Sequence, residues 1–191
     1  MITSKQSYIH YLQSDCIANN FDYKRIHFPL FHHEIRFLKI LRKCEYYVNC
    51  KKSFLYLPYK AVLRLRLERA RVKYGWHIPL NTCGEGLSLA HYGSIIINSH
   101  VHIGKFCRIH SRVCIGTSAG KQDACPVIGD YVYIGPGAKL FGPIIIGDET
   151  AVGANAVVTK SFEEGHVVLI GVPAAVSRRL EKNDFICRGG E

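Results

Sequence analysis

The chain has 191 residues, 48% of them hydrophobic, and a formal net charge of +10. That length supports one sizeable core rather than two large domains, and neither a membrane span of roughly eighteen apolar residues nor the residue order of a signal peptide is present. A cytoplasmic protein is therefore expected, and the eight cysteines, with no CxxC pair or zinc-ligand spacing, read as reduced packing thiols and not as disulfides or a metal centre.

Residues 1–75 hold fifteen Lys and Arg against five Asp and Glu, whereas residues 76–191 hold ten of each. All the excess charge is N-terminal, which places a boundary near Gly75. Residues 1 to about 30 mix polar and aromatic side chains around Pro29 and predict a loop or a short helix. Residues 33–48 set Ile35, Leu38 and Leu41 on one face, with Arg36, Lys39 and Lys43 elsewhere, as a basic amphipathic helix does. Residues 59–74 alternate Leu and Arg at 63 to 67, a strand-like period, in residue types that favour helix. Such basic helices can lie on an anionic membrane surface, at the inner face of the membrane, or can cover the open end of a repeat structure. The second use is preferred, since an open end needs apolar cover. No nucleic-acid recognition motif accompanies the charge.

From Ile97 onward an aliphatic residue returns every sixth position: Ile97, Ile103, Ile109, Ile115, then Ile128, Ile134, Leu140, Ile146, Val152 and Val158. A period of six fits neither a helix nor an ordinary strand and marks a solenoid. Gly follows the aliphatic residue at 104, 116, 129, 135, 147 and 153, and its freedom of backbone angle predicts a corner at each. Three short strands and three corners close one triangular turn of about eighteen residues. The period breaks twice. Leu89 to Ile97 is a step of eight, and Ile115 to Ile128 a step of thirteen, which leaves a projecting loop. Breaks in a regular coil are where a site is expected. His91 lies at the first break beside Ala90 and Gly93, small neighbours that leave its ring reachable, and its pKa range suits a general base.

In CGEGLSLAHYG (83–93), IGTSAGK (115–121), PVIGDYVYIGPGAKLFG (126–142), VGANAVVTK (152–160) and GVPA (171–174) the chain resembles the hexapeptide-repeat acyltransferases, and among them the serine acetyltransferase branch. The resemblance implies a left-handed parallel β-helix over 76–170, preceded by a basic, mostly helical segment (1–75) and followed by a tail (171–191). It implies a homotrimer with sites between subunits, with pairing of trimers left open. It makes His91 the base that takes the proton from an acceptor hydroxyl as its oxygen attacks the thioester carbonyl of acetyl-CoA. It points to Gly116, Thr117, Ser118, Lys121, Ala138, Lys139 and Ala154 for the CoA arm, and to Lys160, Arg178 and Arg179 for its phosphates. Pro136 stands where the family often has an N–H donor, which a proline lacks.

Three departures bear on the acceptor. The family's acidic partner of the catalytic His falls at Trp76, the acidic residue before that His is Ala90, and the loop's Arg-His-Pro element reads Ala124, Cys125, Pro126. An amino-acid zwitterion would lose its charged partners there. A sugar hydroxyl in a capsule or O-antigen polysaccharide or its precursor, bound by Trp76 and Tyr92, is thus the expected acceptor, with serine O-acetylation in cysteine biosynthesis as the alternative. His77 is the candidate replacement for the missing acid, and His110 a second candidate to assist His91. For Cys114 and Cys125 as acyl carriers, the sequence by itself points to no base, and packing or loop roles are expected. A carbonic anhydrase of the same fold needs three convergent His whose spacing is not found, so no metal is expected. A non-catalytic scaffold would leave His91 idle.

Overall fold

The computed structural model describes residues 1–27, 29–118 and 124–188. Three helices come first: α1 (Lys5–Ala18), α2 (His33–Cys50) and α3 (Leu57–Tyr74). The fourteen residues of α1 exceed the loop or short helix expected within 1–30. Ser4 explains its start, since its side chain accepts from the Ser7 N–H while Ser7 Oγ accepts from the Ser4 N–H. In α3 the helical reading prevails over the period of two: Leu63, Leu67 and Ala70 are buried on one face while Leu65 is exposed. Gly75, at φ 72°, ends α3 in the left-handed region.

The rest is a coil of short strands in three sheets. One contains β1 (Trp76–His77), β3 (Ile95–Ile97), β6 (Val113–Gly116), β9 (Lys139–Phe141) and β12 (Val157–Val158). The second contains β4 (His102–Ile103), β7 (Val127–Ile128) and β10 (Ile145–Ile146). The third contains β2 (Ser88–Ala90), β5 (Arg108–His110), β8 (Tyr133–Ile134), β11 (Ala151–Val152), β13 (Val167–Ile170) and β14 (Ala175–Arg179). Strand pairs are parallel throughout except β13 with β14. Ile95 pairs with Val113, and Tyr133 with Ala151, eighteen residues on in each case. Ser88 pairs with Arg108 and Cys114 with Lys139, steps of twenty and twenty-five that hold the two excesses read from sequence.

All ten aliphatic repeat positions are at most 5% exposed, stacked up the interior. The repeated glycines act otherwise than expected. None of Gly104, Gly116, Gly129, Gly135, Gly147 and Gly153 has a left-handed φ; that angle falls two places later, at Phe106, Tyr131, Gly137, Glu149 and Asn155. The glycines answer a demand for space instead. A Cβ on Gly104 would sit 2.5 Å from Gly129 O, and one on Gly135 2.8 Å from Val152 O.

One apolar core joins Phe37, Leu38 and Leu41 of α2 and Leu63 and Leu67 of α3 to Trp76, Ile78 and Leu87 of the coil. Leu38 and Leu41 of α2 are therefore covered by α3 and the coil together, while Ile35 packs with Leu12, Cys16 and Ile26 in a second cluster. The tail folds back along the coil, where buried Asn183 donates Nδ2 to Tyr131 O and Thr150 O, both at 3.0 Å. Among the described residues no helix is long and apolar enough to cross a membrane.

Candidate active site

At the first break the two surplus residues let the chain round the corner between β2 and β3 with His91 at φ 65°, a left-handed angle unusual for a side-chain-bearing residue. The corner exposes His91 and Tyr92 above buried Ala90. Beside it lies a pocket of about 300 Å³, walled by three regions of the chain. The end of α1 supplies Ala18, Asn19 and Asn20, the first turn of α2 supplies Glu34, and the coil supplies Trp76, Ser88 to Tyr92 and Arg108. Asn19 fixes the first wall: its Nδ2 donates to Leu87 O at 2.9 Å and its Oδ1 accepts from the Leu89 N–H at 3.2 Å.

Trp76 is 1% exposed and packs against Phe37 and Tyr74, with ring centroids 5.2 and 5.1 Å away. It forms part of the pocket wall, and its indole N–H has no hydrogen-bond partner. Tyr92 stands edge-on to His33 at 5.5 Å. His77, the strand neighbour of Trp76, points to the other face, pairs with Ile96 and does not line the pocket. The ring closest in kind to His91 is that of His110, one turn further along the same corner, with centroids 5.7 Å apart. Burial first, then Arg108 and His91, lowers the His110 pKa to about 4, so this ring stays neutral where a histidine ordinarily titrates. A neutral neighbour adds no repulsion when His91 takes up a proton.

Sequence reasoning missed Glu34 and Arg108. Glu34 accepts or shares a proton with His32 Nδ1 at 3.0 Å, and Arg108 Nε is buried without a partner. Alternation about inward-facing Ile109 signals that Arg108 faces outward; nothing local signals where α2 docks.

The residues assigned to CoA divide between two edges of the coil. Gly137 N–H donates to Ser111 O and Asn155 N–H to Pro136 O, so Ala154 lies along the His91 edge. Turns about 4.8 Å apart put it about 14 Å from His91. Thr117 and Ser118 lie at the next edge, where Gly142 N–H donates to Gly116 O, and exposed Lys160 follows β12 there. Lys139, on the sheet between, donates Nζ to Arg112 O at 2.7 Å and Gly137 O at 3.1 Å. Ala138 is buried, its carbonyl accepting from Cys114 and its N–H donating to Gly135 O. Arg179 pairs with Glu164 at 3.2 Å. Lys121 lies outside the described residues. Among the described residues no group of three His, Cys, Asp or Glu is placed to hold a metal ion.

Residues 125–160 match the family model described as bacterial transferase hexapeptide (six repeats). The chain is 36% identical over 121 residues to a serine acetyltransferase of Mycobacterium tuberculosis, covering 61% of this chain and 52% of that protein. It is 36% identical over 83 residues to a serine acetyltransferase of Helicobacter pylori, covering 43% and 48%. The chain thus spans about half the length of the curated relatives it matches. Among solved structures, the serine acetyltransferase of Neisseria gonorrhoeae superposes with a TM-score of 0.71 at 24% identity, covering 94% of this chain and 69% of that one. That of Brucella abortus in complex with coenzyme A superposes with a TM-score of 0.69 at 21% identity, covering 93% and 70%. These superpositions establish the fold: parallel β-sheets of a hexapeptide-repeat coil behind N-terminal helices.

Proposed function

We propose that this chain is an acetyl-CoA-dependent O-acetyltransferase in which His91 is the general base. Its ring nitrogen takes the acceptor's hydroxyl proton while the oxygen attacks the thioester carbonyl. The C–O bond forms, the C–S bond breaks, and the proton passes from His91 to the departing CoA thiolate, so no covalent enzyme intermediate is needed. A backbone N–H is the natural holder of the developing oxyanion. The observation that carries the reading is His91 itself, turned outward by a left-handed corner at the edge of a polar pocket, in a chain similar to serine acetyltransferases.

The coil's left hand, the division into 1–75, 76–170 and 171–191, and a homotrimer with CoA held between subunits belong to the same proposal. The stretch of surface carrying Thr117, Ser118, Lys139, Ala154 and Lys160 is the proposed cofactor groove.

For the acceptor, the relatives' names favour L-serine. The pocket also weakens the argument against it: the acid absent at Trp76 and Ala90 has a counterpart in Glu34, and the cation absent at Ala124 and Cys125 has one in Arg108, the two signs a zwitterion needs. A sugar hydroxyl is the second reading, supported by the aromatic and uncharged residues at Trp76, Ala90 and Tyr92. The test is CoA release from acetyl-CoA by wild type and His91→Asn, with L-serine and a sugar panel in parallel. Release that needs both an acceptor and His91 is the expected result. Acceptor-dependent release undiminished in the variant would remove His91 from the mechanism.

A further inference from the structure

We propose that Arg108 selects an acceptor that carries an acid group, so that the hydroxyl compound entering this pocket is a carboxylate. The proposal deepens the acetyl-transfer reading and rests on it for the identity of the acceptor.

Arg108 sits on β5, paired with Ser88 on one side and Tyr133 on the other, in the wall of the pocket that His91 borders. Two buried N–H donors stand in that wall without partners, Arg108 Nε and Trp76 Nε1, and His110 Nε2, which donates or accepts according to the ring's tautomer, is buried without one beside His91. Buried donors in native structures are almost always satisfied, so a cluster of orphans at a pocket marks where a ligand brings acceptor atoms. A guanidinium has only donors, in a fork that matches the two oxygens of a carboxylate. The carboxylate already in the wall does not serve it, since Glu34 is bonded to His32 and forms no ion pair with Arg108. His110 lies two residues along the same strand, so its neutral ring leaves Arg108 as the positive group on this stretch of wall.

A hydroxylated carboxylate can come from two sources, a free amino acid such as serine or an acidic sugar such as a uronic acid. The assay therefore uses matched pairs: L-serine with L-serinamide, and glucuronate with glucose. Wild type, Arg108→Gln and Arg108→Lys are compared for CoA release and for acceptor binding. Binding is read from fluorescence of Trp76, the single tryptophan of the chain. Wild type is expected to prefer the acid member of one pair by about tenfold or more in kcat/KM, as a site built for a polar group rejects the analogue that lacks it. Arg108→Gln should abolish that preference mainly through KM, and Arg108→Lys should restore part of it. The pair showing the effect identifies the source. Equal use of acid and neutral members by wild type, or a preference that survives in Arg108→Gln, overturns the proposal. If no acceptor is acetylated, the acetyl-transfer reading fails by itself; binding of an acid that Arg108→Gln abolishes would still uphold the anion site, and no binding would end it.

Discussion

Arg42 of α2 donates Nε to Asp15 Oδ2 of α1 at 2.8 Å, with both side chains at most 1% exposed. The same guanidinium reaches Glu45 at 3.1 Å and the Cys83 and Gly84 carbonyls at 2.9 and 2.5 Å, and so ties two helices to the first turn of the coil. Burial alone would lower its pKa; Asp15 and then Glu45 reverse the effect and hold it above the ordinary value. Asp15 also accepts from the Leu87 N–H at 2.9 Å, just before the strand that leads to His91.

Arg42→Met should accordingly cost about 3–5 kcal/mol, the usual effect of stranding a buried carboxylate. Urea unfolding of the variant measures it. A loss below about 1 kcal/mol would mean that water or another cation reaches Asp15 and Glu45.

The glycine column separates two kinds of position with the same sequence signature. On Gly104 a Cβ meets the Gly129 backbone at 2.5 Å, whereas on Gly116 the nearest atom, Asn98 Cβ, is 3.8 Å away. Gly104→Ala should lose about 1–3 kcal/mol or more from overpacking, and Gly116→Ala should stay within about 0.5 kcal/mol of wild type. Thermal unfolding of the two side by side decides it. Equal losses would return the column to a role in backbone angle.

The coil was legible because its interior admits one residue per six and that residue must be aliphatic; the two irregular steps then located His91 without further help. Three things were not. The glycines' role depends on the distance to the next turn, which no single repeat reports. The pairing of Ser88 with Arg108 follows from the surplus of two residues, but the chemistry of Arg108 matters only once a wall faces it. That wall is set by polar contacts, Asn19 on Leu87 and Leu89 and Arg42 on Cys83, which have no period. His77 was the expected stand-in for a missing acid, yet strand alternation sends it away from the pocket as surely as it sends Trp76 in.

His110 gives the fold a pH dependence of known sign. Its pKa is about 4 in the folded chain against about 6.5 when unfolded, so between these values the unfolded state binds the extra proton. Its contribution to stability is complete above about pH 6.5 and is lost as the pH falls toward about 4. His110→Gln, which cannot titrate, should become relatively more stable than wild type across that window. Unfolding midpoints at pH 7.5, 6 and 5 test this, and parallel curves for the two proteins would show that His110 titrates normally.

His91 should matter to turnover far more than to folding. Its ring is exposed and stands 5.7 Å from the His110 ring, while its backbone holds φ 65°, an angle Asn tolerates and β-branched residues do not. His91→Asn is therefore expected to slow acceptor-dependent CoA release by about 10²–10⁴-fold, the usual range for a lost general base, with an unfolding midpoint close to wild type. His91→Val should lose the same activity and unfold earlier, because the corner itself is strained. If the two variants lost activity and stability in proportion, His91 would be acting by shaping the corner, and the base would have to be sought elsewhere in the pocket.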